Sequence, residues 1–198
     1  MKRTIPAALL GLSLLAVAGW ARRGRAEAAA DRPDPMLEEL RNIARVASVI
    51  MDGDDCLDIV TERAAELMFL THPRDRWYGS DNYDVNHEVF VRNKKLLIRL
   101  SRLASFPVDC NLWMKCKKRP EKIHLVIRQV NGYSQWYSFG QMAIDPPPEM
   151  KKVLETGRPL TVAGRRSDYV SVLAPVFNSL EEVVGLVEVV SRRRAYGG

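Results

Sequence analysis

The chain has 198 residues, of which 46% are hydrophobic and 27% are charged. The length fits one domain, and this hydrophobic fraction supports a packed core and excludes a wholly disordered chain. The formal net charge is +6, but residues 1–30 hold five basic residues and one acid and so account for +4 of it. Residues 31–198 therefore carry only +2, too little positive charge to favour nucleic acid as a partner.

The first 30 residues have the pattern of an export signal. Lys2 and Arg3 precede an uncharged run at 4–21, and small residues suited to cleavage follow it. We therefore expect a signal peptide at 1–30 and a linker at 31–35. The run also approaches the roughly 20 residues that cross a bilayer, so an uncleaved anchor is the alternative. Both readings predict a periplasmic or secreted protein that contacts a membrane only through this segment.

Helical periodicity dominates the next part of the chain, residues 36–105. The predicted helices are residues 36–51, residues 54–68 and a third that follows a polar, aromatic loop at 71–88 and ends near Ser105. Asp34 is expected to cap the first helix, with Pro35 in the first helical position.

Residues 108–191 have the alternation of β-strands. The predicted strands are 109–117, 122–130, 133–142, 169–177 and 183–190, with a brief further strand in "PLTV". "RPE" is expected to turn the chain after the first strand, and Asn131-Gly132 is a strong hairpin signal. A short helix with prolines at its start is expected to end at Gly157.

This order predicts an α+β fold, in which a five-stranded antiparallel sheet carries the N-terminal helices on one face. The predicted domain is single, at 36–193, and leaves a tail at 194–198. The strands at 169–177 and 183–190 lack a genuinely polar side, which predicts burial on both faces of the sheet. Gly185 is expected where two backbones approach closely, and Glu188 is the polar exception in this hairpin.

The segment "GRPLTVAGRRSDYVSVLAPVFNSLEEVVGLVEVV" resembles the C-terminal half of the Cache, PAS and GAF sensor domains. The shared pattern is Ala174-Pro175-Val176, a polar turn, and then Val183-Val184-Gly185. The resemblance covers about residues 150–191. It implies an exported sensor domain that binds a small molecule between its sheet and the segment at roughly 131–168, and that signals through a separate partner. Ser134 stands where amino-acid-binding Cache domains have Arg, so the resemblance does not extend to an amino-acid ligand.

Six residues are candidates for ligand binding. They are Trp113, Arg128, Trp136, Tyr137, Tyr169 and Glu188. A guanidinium between aromatic walls suits a small ligand, and an anionic one in particular. A carboxylate in an apolar strand must be paired, hydrogen-bonded or neutralised. The alternatives without a functional role are that the aromatics are core residues, that Arg128 lies on the surface, and that Glu188 pairs with a neighbour such as Arg128 or is exposed.

No nucleophile elbow, P-loop, dinucleotide fingerprint or zinc-protease helix is present, so an enzyme is not expected. Cys110 and Cys116 would lie about 20 Å apart on one strand, and buried free thiols are expected, with a bridge from Cys56 as the alternative. His72 and His87 are expected to be surface histidines and not haem ligands, and no metal or cofactor is predicted. The alternative function is a ligand-free interaction or dimerisation module that uses the N-terminal helix as its contact.

Overall fold

The computed structural model describes residues 34–75, 77–139, 142–163, 165–166 and 168–196. The predicted signal peptide, its alternative as an anchor and most of the linker lie outside these residues. The helices are α1 (Pro35–Ile50), α2 (Gly53–Leu57), α3 (Glu62–Leu67), α4 (Tyr78–Asp81), α5 (His87–Ser101) and α6 (Pro148–Thr156). The strands are β1 (Asp109–Cys116), β2 (Arg119–Ile127), β3 (Leu160–Ala163), β4 (Tyr169–Phe177) and β5 (Val183–Arg192), and a 3₁₀ turn follows at Arg193–Ala195.

The five strands form one antiparallel sheet in the order β2-β1-β5-β4-β3. The predicted α+β class with a five-stranded antiparallel sheet is therefore confirmed. Strand β5 lies at the centre, where Glu188 is opposite Asn111 of β1 on one side and Leu173 of β4 on the other. The middle of β5 is consequently the most enclosed part of the sheet.

The two faces of the sheet are covered by different material. One face, called here the helix face, packs against α1, α2, α3 and α5. Its strand residues include Cys110, Leu112, Met114, Val170, Val172, Ala174, Val176, Val187 and Val189. The other, the strap face, is covered by α6 and by residues 131–137, called here the strap. The expected burial of the C-terminal hairpin on both sides is confirmed, because the interior residues of both strands are buried.

The predicted second helix is wrong in one respect, because it is broken into α2 and α3. Asp52 caps α2 by accepting from the backbone N–H groups of Asp54 and Asp55, and Thr61 caps α3 through the N–H of Ala64. Between the two caps, Val60 pairs with Val85 in an isolated antiparallel bridge. The chain cannot remain helical there, because its backbone N–H and C=O groups bond to a segment that is distant in sequence.

Two boundaries in the predicted sheet also differ. The turn after β1 lies at 117–118, so "RPE" belongs to β2 and does not form the turn. Pro120 is compatible with this position because β2 is the edge strand of the sheet, and its isolated bridge to Ile144 is made by Ile123 and not by Pro120. Helix α5 ends at Ser101 and not near Ser105.

The predicted strand at 133–142 is wrong, since the described residues there form the strap and an irregular continuation. The N–H groups of Asn131 and Tyr133 donate to the carboxylate of Asp109, and that of Gln135 donates to Glu188. A backbone whose donors are used by side chains has none left for a strand ladder. The brief strand predicted in "PLTV" is real, and as β3 it completes the five.

Two predicted glycine roles are confirmed. Gly157 ends α6 in the left-handed conformation, with φ +62°. A Cβ on Gly185 would lie 2.5 Å from the backbone oxygen of Trp113 and 2.4 Å from the Sδ of Met114. Only a glycine lets β5 approach β1 this closely.

Candidate functional site

The carboxylate of Glu188 is the polar centre of the strap face. The side chain is fully buried, and it accepts hydrogen bonds from the Oγ of Ser134 at 2.7 Å and the N–H of Gln135 at 2.7 Å. The Nε1 of Trp113 donates at 3.1 Å and the Nδ2 of Asn111 at 3.4 Å. Two carboxylate oxygens have about four lone-pair sites between them. Three of the donors bond to Oε2 and the N–H of Gln135 bonds to Oε1, so the protein itself supplies a partner to both oxygens.

Burial raises the pKa of Glu188, because the charged form loses its hydration. The four donors act in the opposite direction, since each of them stabilises the carboxylate. Of the two alternatives considered for Glu188 in the sequence, exposure is wrong, whereas the side chain does pair with neighbouring groups, which are hydrogen-bond donors and do not include Arg128. The exposed guanidinium of Arg128 lies over the ring of Tyr137 instead, at 4.3 Å from its centroid.

A second buried carboxylate, Asp109, holds the start of the strap. It accepts from the N–H and the side-chain amide of Asn131 and from the N–H of Tyr133, at 2.8 to 3.4 Å. Ser134 then connects the two ends of the strap, since its Oγ also accepts from the N–H groups of Trp136 and Tyr137. Two carboxylates and one hydroxyl thus fix the path of the strap across the sheet.

Arginine side chains contact the strap on the side that faces away from the sheet. Arg166 donates to the carbonyl oxygens of Ser134 and Tyr137, at 3.1 and 3.0 Å. Arg165 lies over the ring of Trp136, at 5.8 Å, and Arg192 lies over the rings of Tyr133 and Tyr169, at 5.1 Å from each. Guanidinium groups stacked on aromatic rings add cation–π attraction at this surface.

Four of the six predicted ligand-binding residues form two separate pairs in the structure. Trp113 bonds to Glu188, and Arg128 stacks on Tyr137. Trp136 is buried in the apolar cluster of the strap face, and the hydroxyl of Tyr169 accepts hydrogen bonds from Arg192. A ligand at Glu188 would have to displace Ser134 and Gln135. Ligand binding by these six residues stays a prediction.

A separate cleft lies at the open edge of β2 and is called here the edge cleft. It encloses about 440 Å³ and is lined by Trp77, Ser80, Asp81, Tyr83, His124, Leu125, Tyr137, Phe139 and Met142. Of the six predicted residues, only Tyr137 lies in it. Phe139 is 88% exposed and Trp77 39% exposed, and their rings are 6.5 Å apart at the rim. Exposed aromatic rings beside a cavity are typical of a binding site, because most large apolar side chains are buried.

Two side chains that line the edge cleft have buried polar atoms without a partner. The Nδ1 of His124 and the hydroxyl of Tyr83 make no hydrogen bond within the described part of the chain, and their rings meet edge-on at 6.3 Å. Burial lowers the pKa of His124 to about 4, so its imidazole is neutral at physiological pH. Burial also raises the pKa of Tyr83, which keeps its hydroxyl protonated. Unpaired buried polar groups are uncommon in native proteins and call for an explanation.

The three cysteines are free and buried, as expected. Burial raises the pKa of Cys56 and of Cys116 to about 12, and it raises the pKa of Cys110 as well. A thiol needs its thiolate form to act as a nucleophile, and these environments disfavour that form.

Among the residues that the structure describes, His, Cys, Asp and Glu side chains form no group of three or more that could hold a metal ion. None of the helices in that part of the chain combines the length and the apolar character needed to cross a membrane.

Comparison with known proteins gave no relatives: no family model, curated protein or solved structure matches this chain.

The sequence contained a signal for the Glu188 site. The alternation of β1 places Asp109, Asn111 and Trp113 on one face, opposite the cysteines, and this is the face that the strap covers. The edge cleft had a weaker signal in the polar, aromatic character of residues 71–88. Tyr83 and His124 were not identified as a pair, because they are far apart in sequence and meet only across the edge of the sheet.

Proposed function

We propose that this chain is an exported, Cache/PAS-like sensor domain that binds a small molecule in the edge cleft and passes the signal to a separate partner protein. The observation that carries the proposal is the edge cleft itself, with its exposed aromatic rim and two unpaired polar groups. Its volume lies within the range of small-molecule sites, about 300 to 1,000 Å³. The sheet with helices on one face is compatible with the PAS and GAF folds that the C-terminal hairpin resembles.

The location differs from the one expected in the sequence. Between the sheet and the strap, the space beside Glu188 is filled by Ser134 and Gln135, whose donors satisfy the carboxylate. At the edge cleft, by contrast, polar atoms are unsatisfied and apolar rings are exposed. A ligand there gains apolar contact with the exposed rings without displacing the strap.

The strap offers a route for a signal. Tyr137 ends the strap and lines the edge cleft, and its carbonyl oxygen accepts from Arg166. A ligand that contacts the ring of Tyr137 would therefore act on a segment that is also held by Arg166 and Arg128. In this proposal the partner protein binds residues 137–139 and responds to a change in their position.

The proposal is tested by a thermal-shift screen of the full-length chain against neutral aromatic compounds, carboxylates, amino acids and purines. Phe139→Ala removes an exposed ring from the rim, and Leu180→Ala removes a side chain that is 75% exposed in the β4–β5 turn, away from the residues that line the cleft. A ligand of the edge cleft should stabilise the wild type and Leu180→Ala alike, and should bind Phe139→Ala at least fivefold more weakly. If no compound stabilises the protein, or every one binds Phe139→Ala as tightly as wild type, the proposal fails.

A ligand-free interaction module is the second candidate, and one surface favours it. Near its C-terminal end, α1 exposes three apolar side chains, with Val49 80%, Ile50 41% and Val46 39% exposed. Such side chains are candidates for a contact with a partner or a second copy. Sedimentation of wild type and Val49→Lys distinguishes the cases: self-association that the lysine abolishes supports this function, and a monomer in both samples excludes a homodimer through α1.

A further inference from the structure

The outer surface of α5 carries positive charge that the proposed function does not use. Lys95 and Arg99 on α5 and Arg102 directly after it are exposed and follow one another at three or four positions, so they lie on one side of the helix. Leu103, which is 60% exposed, lies at the end of this stripe. We infer that these four residues, called here the basic face, bind the protein to an anionic lipid bilayer.

The charge of the domain is concentrated around this face. Residues 87–103 hold five basic residues and one acid, Glu88, and so have a net charge of +4. Residues 31–198 together carry only +2, so the remainder of that part of the chain carries −2. A protein with its charge divided in this way is turned by an anionic surface so that the positive side approaches first.

The cations of the basic face are not used by contacts within the protein. The side chains of Lys95, Arg99 and Arg102 make no ion pair, hydrogen bond or ring contact in the part of the chain that the structure describes. In the basic segment at 115–122, by contrast, Lys117 pairs with Glu62 at 2.9 Å. A cation without an internal partner gains Coulomb energy from an external anion and breaks no existing contact.

Arg92 extends the stripe toward the start of α5 but already has a partner. Its guanidinium pairs with the carboxylate of Asp55 on α2 at 2.7 Å. We therefore leave Arg92 out of the basic face, which keeps the cations that are available to an external anion apart from the one that holds α2 against α5.

The shape of the surface favours a bilayer over a small anion or an acidic peptide. The described residues that line the depression along this stripe all belong to α5, namely His87, Glu88, Val91, Arg92, Lys95 and Arg99. A site with a single wall leaves a small ligand open to water, whereas lipid headgroups move laterally and can gather beneath cations of any spacing. Clusters of Lys and Arg on an amphipathic helix are typical of proteins that bind anionic lipids.

The opposite side of α5 fixes the orientation of the basic face. Leu97 and Leu100 are buried in the core of the helix face, so the cations point away from the sheet. Long basic side chains can lay their methylene stems on the membrane interface while their charges stay hydrated, and Leu103 adds apolar contact there. The sequence predicted membrane contact through residues 1–30 alone, and the basic face adds a second contact that does not depend on the edge cleft.

A fluorescent label on the basic face tests the inference. Leu103→Cys is labelled in the full-length chain with nitrobenzoxadiazole, whose emission moves to the blue in a membrane interface, and the three native cysteines are buried and do not compete for the label. Lys152→Cys is the matched control, because Lys152 is exposed on α6, which covers the strap face. With mixed phosphatidylcholine–phosphatidylglycerol vesicles, the emission of the label at 103 should shift and that of the label at 152 should not. Phosphatidylcholine alone should shift neither label, and high salt should reverse the shift at 103, because salt screens surface charges.

Removal of charge tests whether the cations are responsible. One full-length variant combines Lys95→Gln, Arg99→Gln and Arg102→Gln, and the control makes the same change at three exposed residues on and just after α6, namely Lys151, Lys152 and Arg158. Each basic residue near an anionic bilayer strengthens binding by about fivefold, so the first variant should bind the mixed vesicles at least tenfold more weakly than wild type. The control should bind as wild type does. Unchanged thermal unfolding shows that both variants are folded, and residues 1–30 contribute equally to vesicle binding in all three proteins.

Several results would overturn the inference. It is wrong if the label at 103 does not shift with the mixed vesicles, if it shifts equally with phosphatidylcholine alone, or if the two triple variants bind alike. If the label responds to polyglutamate and not to the mixed vesicles, the partner is an acidic protein and not a lipid. If it shifts without vesicles as the protein concentration rises, a second copy of the chain covers the face. None of these results bears on the proposed function, because the substituted residues do not line the edge cleft.

Discussion

The two faces of the sheet are built from the same strands but are held in different ways. On the helix face, side chains such as Leu112, Val172 and Val187 pack against four helices, and burial of apolar surface supplies the stability. On the strap face, Glu188 and Asp109 are buried carboxylates that accept hydrogen bonds from the strap, and Glu188 accepts from β1 as well. Apolar packing tolerates changes that conserve volume, whereas a buried carboxylate with four donors tolerates no change in chemistry. The helix face therefore contributes stability, and the strap face fixes one path of the chain.

The largest difference in the free energy of unfolding between the two faces is expected when methionine is substituted at the centre of each face. Glu188→Met roughly conserves volume but leaves buried donors of Trp113, Ser134 and Gln135 without an acceptor, so the free energy of unfolding should fall by about 3 to 5 kcal/mol. Leu112→Met on the helix face conserves both volume and polarity and should cost less than about 1.5 kcal/mol. Urea unfolding of the full-length chain measures both. If the free energy of unfolding falls equally in the two variants, replacing the Glu188 carboxylate costs no more than an apolar substitution of conserved volume, and the account of the strap face is contradicted.

The pH dependence of stability should differ in sign between the two faces. His124 pairs with Met114 across β1 and β2, and its pKa falls from 6.5 to about 4 on folding. The unfolded chain binds the proton more tightly, so this histidine destabilises the fold as pH drops through that window. For Glu188 the folded pKa is raised. Its contribution is therefore greatest at low pH and is lost as pH rises from the ordinary value through the folded pKa.

Substitution of His124 isolates its contribution to the pH dependence of stability. Between pH 7.5 and pH 4, wild type should lose about 3 kcal/mol relative to His124→Gln, from a shift of about 2.5 pKa units. The measurement is chemical denaturation of both proteins at several pH values. A difference between them that does not change with pH would show that His124 titrates normally in the folded protein.

A smaller decrease in the free energy of unfolding is expected for a substitution within the strap. The Oγ of Ser134 donates to Glu188 and accepts from the N–H groups of Trp136 and Tyr137. Ser134→Ala leaves those two donors without that acceptor and should cost about 2 kcal/mol. Ser101→Ala is the control, because its hydroxyl makes only a local bond to the carbonyl of Ile98 on α5, and it should cost under about 0.5 kcal/mol. Equal costs for the two serines would contradict the role given to the strap.

The parts of the fold that follow local patterns could be predicted from the sequence. The alternation of apolar residues in 169–177 and 183–190 predicted β4 and β5. Pro35 predicted the start of α1, and Gly157 predicted the end of α6. The break between α2 and α3 had a local signal as well, since Thr61, which caps α3, is a typical capping residue. That signal was outweighed by the continuing apolar periodicity across residues 57–68.

The strap and the edge cleft could not be predicted in this way, because both depend on contacts between distant residues. Asn131-Gly132 followed by aromatic residues is typical of a hairpin, but here the following N–H groups bond to carboxylates that lie 22 to 53 positions away. The edge cleft joins described residues from three parts of the chain, namely Trp77 to Tyr83, His124 with Leu125, and Tyr137 with Phe139 and Met142, which meet only when the sheet is formed. Hydrophobic periodicity describes one segment at a time and has no information about such contacts.

The most direct test of the account uses the tryptophan indole N–H signals. The sequence has four tryptophans. Of these, Trp77 lies at the rim of the edge cleft and the Trp113 indole bonds to Glu188 beneath the strap. The full-length, ¹⁵N-labelled chain is titrated with the best compound from the screen, and the signals are assigned with single Trp→Phe variants. We predict that the Trp77 signal shifts in proportion to saturation while the Trp113 signal stays in place. A shift of the Trp113 signal with Trp77 unchanged would contradict the account, because it would place the ligand at Glu188.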